Sequence, residues 1–422
     1  MPSEFDSIVI GAGSGGLAYA KAAARLGARV LMVERDALGG TCVNRGCVPK
    51  KLMWDAGWHR ERAVALEKQG LSCGGAGRID FGKLRAKIGR KIEAIKASYT
   101  EDLAAQGITL LSGEAQVAPD LTIMLNGSRY GADRIVLATG GRPAELDIDG
   151  AGFAETSDDL FKWTHLPRRV AILGGGYIGC EFAAILRALD VGVTLIEPSD
   201  RILDGFDAAL AEAAAEVLRT RGVDLRLETA PTAVSSIAGG FHVTCDDGEA
   251  VMADRVISAV GRVPNVEVPG GLRAELSLAD SGAFSVSDAF ETSVARVHAI
   301  GDCADRLPLT PVATRDGEAL AEQLYGKGAE PIDLDLVATA AFIMPPVAQV
   351  GTVSGIEAQG GRDLSDGVLS SNQHWLTRTL HQVQGKGDAV AGAALMGEGA
   401  GDMIAGFGAL VAVGRGKHRD AA

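Results

Sequence analysis

Aromatic side chains are scarce in these 422 residues, at 5%, and positive charge is short: 41 Lys and Arg stand against 54 Asp and Glu, a formal charge of −13. A core poor in rings must be built from Ala, Val, Leu and Ile, and apolar residues reach 47%. The negative balance leaves no basic stripe to neutralise a phosphate backbone or an anionic membrane, so neither nucleic acid nor membrane is expected as a partner. A local pocket for a phosphate is still allowed. Long hydrophobic runs are missing too: residues 337–350 are apolar but are cut by Pro345 and Pro346. The chain reaches the strand-like segment Ser7–Ile10 with no apolar leader before it, which predicts a cytoplasmic protein. Only six cysteines occur (42, 47, 73, 180, 245 and 303), too sparse for a disulfide framework, and no metal site is expected. In a reducing compartment a close cysteine pair is more often catalytic than structural. The length exceeds what one core supports, so two to four domains are expected.

Glycine, in contrast, is abundant at 56 residues, and it is concentrated where it carries chemistry. Gly11-Ala-Gly13-Ser14-Gly15-Gly16 follows a short apolar strand and opens an Ala-rich helix; the next strand ends at Glu34. Gly174-Gly-Gly176-Tyr177-Ile178-Gly179 repeats the pattern after Val170–Leu173, and its second strand ends at Glu197. Each acid follows the last glycine of its motif by 18 residues, and the whole unit recurs at an offset of 163. Glycines let a backbone approach a pyrophosphate at a helix N-terminus, while the carboxylate accepts hydrogen bonds from a ribose diol. One such motif is weak evidence. Two, each with strand, helix and acid, predict two dinucleotide sites on an α/β chain with two Rossmann-like domains.

Cys42 and Cys47 lie just beyond the first unit, in Gly39-Gly-Thr41-Cys42-Val-Asn-Arg45-Gly46-Cys47-Val-Pro49-Lys50-Lys51. A regular helix would separate residues five apart by about 7.5 Å along its axis, beyond the roughly 7 Å Cα separation that a disulfide tolerates. The helix must therefore be distorted, and Gly46 and Pro49 permit it. A thiol at a helix start near Arg45, Lys50 and Lys51 is expected to have a lowered pKa. A redox pair beside two dinucleotide sites suggests an electron relay from nicotinamide through flavin to disulfide. Two nicotinamide sites without a flavin would leave the pair without an electron source.

From about residue 5 to 412 the chain resembles the flavoprotein pyridine nucleotide-disulfide oxidoreductases. The resemblance rests on the cysteine motif, on Ile135–Pro143 with Thr139 and Gly140, on Ala259–Asn265 with Gly261, and on Thr292 through Asp302. Leu309-Thr310-Pro-Val-Ala313 and the Pro345-Pro346 pair add to it. Pro-Lys-Lys after the second cysteine is most similar to the glutathione reductase branch, while Glu197 leaves a dihydrolipoamide dehydrogenase as the alternative. The resemblance implies FAD and NAD(P)H as cofactors and a low-molecular-weight disulfide as substrate. Cys42 would be the interchange thiol and Cys47 the flavin-facing thiol. Lys50, with Lys51 as alternative, would pair with Glu181 near the flavin, and Tyr177 would cover the nicotinamide pocket. Asp302, ending an apolar strand, would hold the ribityl chain; Ser14, Gly15, Glu34, Thr41, Ala115 and Thr310 match further flavin-contacting positions. Tyr99 and Lys21 match substrate positions. The implied domains are 1–144 and 268–336 for FAD, 145–267 for NAD(P)H, and a shortened α+β interface domain over 337–422.

Three departures modify those expectations. Glu197, with Asp204 where an arginine is usual, favours NADH over NADPH, Arg201 being the one residue able to compensate. Glu318 stands where an arginine is common for a substrate carboxylate, so a less anionic disulfide, such as a glutathione amide, is expected unless Arg315 takes over. The sequence ends at Ala422 without the His-Pro segment that supplies an acid across a dimer, and none of the histidines (59, 165, 242, 298, 374, 381, 418) lies in such a segment. The interface domain is also short, which leaves open the homodimer implied by the resemblance; the missing acid makes a flavoprotein with only NADH oxidase or diaphorase activity the alternative outcome.

Overall fold

The computed structural model describes residues 4–71, 77–351, 376–383 and 388–419; Cys73 and His374 fall outside them. The chain opens with β1 (Phe5–Ile10), α1 (Ser14–Arg25), β2 (Val30–Glu34), α2 (Gly40–Arg45), α3 (Cys47–Lys68) and α4 (Phe81–Ala105). Next come β3 (Thr109–Ser112), β4 (Gln116–Val117), β5 (Thr122–Leu125), β6 (Ser128–Leu137) and β7 (Gly141–Pro143). The middle of the chain holds β8 (Glu155–Thr156), α5 (Ser157–Leu160), β9 (Arg169–Leu173), α6 (Tyr177–Ala188), β10 (Gly192–Ile196) and α7 (Ala208–Thr220). It continues through β11 (Asp224–Arg226), β12 (Pro231–Ile237), β13 (Gly240–Cys245), β14 (Ala250–Ala253) and β15 (Arg255–Ser258). The last part holds β16 (Arg262–Pro264), β17 (Val297–Ala299), α8 (Thr310–Tyr325), β18 (Thr339–Ala341), β19 (Val347–Gly351), β20 (Leu376–Val383), β21 (Asp388–Met396) and α9 (Ala400–Arg419).

These elements divide into two compact units. The first gathers Met1–Lys50, Lys87–Pro143 and Arg262–Leu334. Its sheet runs β3-β2-β1-β6-β5-β4, with β17 also on β6. The strands β3, β2, β1, β6 and β17 pair in parallel, and β5 joins the start of β6 antiparallel. Successive side chains of a strand point to opposite faces. Ile8, Leu31, Val33, Ile135 and Leu137 accordingly enter one buried cluster, while Val9, Val30, Met32 and Val136 enter another with α1 residues Leu17, Tyr19 and Ala20. Strands covered on both faces read as near-continuous aliphatic runs. This is why Val, Ile and Leu rather than rings suffice here.

The second unit comprises Lys51–Ala86, Ala144–Gly261 and Asp335–Ala422. It contains a parallel sheet in the order β11-β10-β9-β15-β8, an antiparallel sheet β12-β13-β14 and a four-stranded sheet β18-β19-β21-β20. Asp207 starts α7 by accepting the N–H groups of Ala209 and Leu210, the usual satisfaction of a helix's orphan donors. Against the last sheet α9 packs Ile404 and Val411 with Ala348, Val350 and Leu395; each fully buried aliphatic of this kind contributes about 1.5–3 kcal/mol. The fold is α/β, with two parallel Rossmann-like sheets and an α+β segment of short strands and one helix. Among the described residues no helix is long and apolar enough to cross a membrane.

Candidate active site

The two glycine motifs fold alike, each in its own unit. In the first, Gly11 adopts φ +108° and a Cβ there would stand 2.3 Å from the Ala138 carbonyl oxygen; a Cβ on Gly16 would stand 2.1 Å from that of Gly11. Only glycine closes this strand-to-helix turn. At Gly13 the nearest obstacle to a Cβ is Gly40 Cα at 3.9 Å, so the N-terminus of α1, where Ser14 begins the helix, is left open. Gly15 sits against Ala313 of α8. Glu34 accepts the Ala12 N–H at 2.7 Å and the Asp36 N–H at 2.8 Å. In the second unit Gly174 takes φ +107°, a Cβ on Gly179 would meet the Gly174 oxygen at 2.0 Å, and a Cβ on Gly176 would meet nothing within 4 Å. Glu197 accepts the N–H groups of Gly175 and Ser199 at 2.6 and 2.8 Å. Ala12, Glu34 and Asp36 thus correspond to Gly175, Glu197 and Ser199 at the same offset of 163. Each carboxylate is fixed by two backbone donors and keeps lone pairs for a diol.

The helix after the first motif breaks as expected. Between α2 and α3, Gly46 has φ −142° and ψ −119°, and a Cβ there would lie 2.9 Å from the Thr41 oxygen and 3.3 Å from Cys42 Cα. Asn44 steadies α2 by donating to the Leu38 and Gly40 carbonyls at 3.1 and 2.9 Å. Cys42 is half-buried and Cys47 exposed. Thr310 Oγ1, at the start of α8, is 3.8 Å from Cys47 Sγ.

The lowered thiol pKa expected from the sequence is not found at Cys42. Its hydrogen bond with Cys47, then burial, hold that thiol well above the usual range, and the Thr310 hydroxyl works the other way. Two sulfurs this close titrate as a pair, so one keeps its proton when the other ionises. The flanking cations are also engaged by carboxylates: Arg45 pairs with Asp36 at 2.6 Å and Lys51 with Asp55 at 3.8 Å.

Lys50 occupies the first turn of α3, its N–H donating to the Gly46 carbonyl. Lys51 is committed elsewhere. In the second unit its ammonium lies 4.0 Å from the Trp54 ring centroid and 4.4 Å from that of Phe342. Glu181, on α6 and 4% exposed, accepts the Phe342 N–H at 2.8 Å, while Trp54 Nε1 donates to the Ile343 carbonyl. Tyr177, the first residue of α6, is exposed, and Ile178 beside it is half-buried. Phe342 and Trp54 had no signal in the sequence, since nothing local links them to Glu181.

In the first unit Thr139 Oγ1 donates to the Asn265 carbonyl at 2.6 Å and Asn265 Nδ2 returns a bond to the Thr139 carbonyl. Gly140 (φ +70°) accepts the Asn265 N–H through its carbonyl. A Cβ on the neighbouring Gly141 would be 3.5 Å from the Asp302 carboxylate. Asp302 does not end a strand: it lies in the 3-10 turn Gly301–Cys303 beyond β17. Burial pushes its carboxyl up, opposed by Arg262. Thr41 sits in α2, and Ala115 is buried within the core cluster of β1, β2 and β6, which leaves only its backbone to meet a ligand. Gly261 (φ +119°) belongs to the second unit.

Lys21 and Tyr99 come together, the ammonium 4.9 Å from the ring centroid, but Lys21 is also ion-paired with Asp102. Arg315 is paired with Glu318 at 3.3 Å. Arg201 faces Asp204 at 3.9 Å in the loop after Glu197.

Residues 5–317 match the family described as pyridine nucleotide-disulphide oxidoreductase. Over 442 residues the chain is 33% identical to a glutathione reductase of Nostoc sp., covering 98% of this chain and 95% of that protein. It is 34% identical over 414 residues to a glutathione reductase of Burkholderia cepacia, covering 96% and 92%. Against the chloroplastic/mitochondrial glutathione reductase of Pisum sativum it is 30% identical over 425 residues, covering 96% and 77%.

Proposed function

The chain belongs to the pyridine nucleotide-disulphide oxidoreductase family, and from that premise we propose that it is an NAD(P)H:disulfide oxidoreductase of glutathione reductase type working through Cys42 and Cys47. The observation that carries the proposal is the helix break at Gly46, which seats Cys42 against Cys47 beside Thr310. The residues present fit FAD in the first unit: an open helix start at Gly13, a fixed Glu34, and Asp302 beside the Thr139–Gly141 loop. Ser14, Gly15, Thr41, Lys50, Ala115, Gly140 and Thr310 would line the same site. FAD, when bound, would pass two electrons from NAD(P)H to the cysteine pair. In the second unit Gly174, Gly176, Ile178, Gly179 and Glu197 would hold the nicotinamide dinucleotide, with Gly261 nearby in role, Tyr177 as cover and Glu181 as a buried carboxyl group fixed by the Phe342 N–H. The FAD role falls to residues 1–144 and 268–336, the NAD(P)H role to 145–267, and a homodimer contact to 337–422.

The thiol steps follow from the chain's own residues. In the singly protonated pair Cys42 passes its proton to Cys47 along their hydrogen bond; the Cys42 thiolate attacks one sulfur of the substrate disulfide, forming a mixed disulfide and releasing the first thiolate, which takes up the proton from Cys47. The Cys47 thiolate then attacks Cys42 Sγ, closing the internal disulfide and releasing the second thiolate. Glu197 suits a free 2′-hydroxyl, and the acid Asp204 lies 3.9 Å from Arg201, which favours NADH. The cations expected for substrate carboxylates, Lys21 and Arg315, each face an acid, which favours a disulfide with fewer carboxylates than glutathione disulfide, such as its amide.

Steady-state assays with NADH and NADPH against both disulfides test these readings. The expected result is kcat/KM about tenfold higher for the amide and loss of turnover in Cys42→Ser and in Cys47→Ser. Disulfide turnover that survives both substitutions would overturn the assignment.

A further inference from the structure

Asp316, on α8, is fully buried, and Arg306, in the loop before α8, is 17% exposed at its side chain. The two form a bidentate pair, Arg306 Nε to Asp316 Oδ2 at 3.1 Å and Nη2 to Oδ1 at 3.0 Å. Nη2 also donates to the Ile332 carbonyl at 3.2 Å, and the guanidinium lies 5.8 Å from the centroid of the buried Phe290 ring. Stability is a poor reason to hold such a pair, because desolvation of two charges commonly offsets their attraction. Position is a better one.

Arg306 stands midway between Asp302 and Thr310. The start of this stretch is anchored at Asp305, whose N–H donates to the Phe284 carbonyl and whose carboxylate accepts the Ser281 hydroxyl; beyond it Arg306 N–H reaches the Ala304 carbonyl and Leu309 N–H the Leu307 carbonyl. Leu307 and Pro308 face solvent. From Arg306 onward the guanidinium joins the loop to α8, about 9 Å along the axis from Thr310, and to the segment at Ile332. A fork with two parallel bonds fixes direction as well as distance.

The geometry points to Arg306 and Asp316 as positioning residues for the dithiol: by fixing the loop they hold the Thr310 hydroxyl and the N-terminus of α8 against Cys47. The Thr310 hydroxyl is also the side chain that opposes the upward push on the Cys42 thiol, and a helix N-terminus stabilises an adjacent anion. The inference rests on the reading of Cys42–Cys47 as the redox pair.

Its test uses full-length protein reduced with dithiothreitol, so it does not depend on electron delivery from NAD(P)H. The alkylation rate of Cys47 is followed by mass spectrometry across pH, with thermal unfolding measured alongside. In Arg306→Met/Asp316→Leu, which keeps the volume without the charges, the half-reactive pH is expected to rise by about half a unit while the protein stays folded. Asp316→Asn, which keeps the shape and an acceptor, should give a smaller rise and serves where the double variant fails to fold. Thr310→Val, which removes the hydroxyl but leaves the helix start in place, should give a shift no larger than that of the double variant, and combining them should add less than the sum of the two. A folded variant with the wild-type profile, or additive shifts, would overturn the inference. Failure of NADH to reduce the wild-type pair would instead overturn the functional reading and leave this test intact.

Discussion

Gly46 is set by contact rather than by φ. With backbone at 2.9 Å from where a Cβ would stand, Gly46→Ala must push α2 and α3 apart. Expected are a destabilisation of about 1–3 kcal/mol in chemical unfolding and a slowed closure of the Cys42–Cys47 disulfide, followed by thiol titration. Asp302 is the opposite case, a residue that strains the protein it serves. Its folded pKa is raised by burial, so its ionised form is disfavoured in the folded state. The penalty is absent below the unfolded pKa, grows as pH rises toward the folded one, and is fully present above it. Asp302→Asn should therefore stabilise the flavin-free protein at pH 7, by up to about 1 kcal/mol, with the gain vanishing in acid. The same change should weaken flavin retention on a desalting column. No gain at neutral pH would show that burial at this site carries no penalty.

At the scale of elements, the two strand–turn–helix units repeat each other down to the backbone donors on Glu34 and Glu197. Removing either carboxylate leaves two N–H groups without their acceptor, at about 1–3 kcal/mol for each left buried. The functional losses should nevertheless separate. Glu34→Ala should lose flavin with little change in the Kd for NADH, whereas Glu197→Ala should raise that Kd while flavin stays bound. Equal effects on both ligands would contradict the assignment of one unit to each dinucleotide. In the loop after β10, the exposed Asp204 faces Arg201 at 3.9 Å and offsets its charge. Asp204→Ala should remove that offset and raise the ratio of kcat/KM for NADPH over NADH about tenfold, the size of one charge-assisted contact to a phosphate. The glycine motifs and their acids were legible because spacing along the chain is all that this geometry needs. The pair Arg306–Asp316 and the bond from Phe342 to Glu181 were not, since the first reads as two ordinary surface charges and the second joins residues 161 apart.

For the molecule as a whole, family membership, the two parallel sheets and the broken helix at the cysteines were readable from motifs whose chemistry dictates local backbone. The electrostatics of the pair were not. Arg45 and Lys51 count as neighbouring cations in sequence, yet Asp36, Asp55, Trp54 and Phe342 engage them in the folded chain. The thiols are tuned instead by each other and by Thr310. On the proposed function, what joins these parts is electron flow into a Cys42–Cys47 disulfide. The most direct measurement is anaerobic addition of NADH to the oxidised, FAD-loaded protein, followed by rapid alkylation and peptide mass spectrometry. Expected is the appearance of two alkylatable thiols, at Cys42 and Cys47, for each NADH consumed, together with a long-wavelength thiolate–flavin absorbance that Cys47→Ser abolishes. A flavin that bleaches while the two cysteines stay joined would contradict the relay.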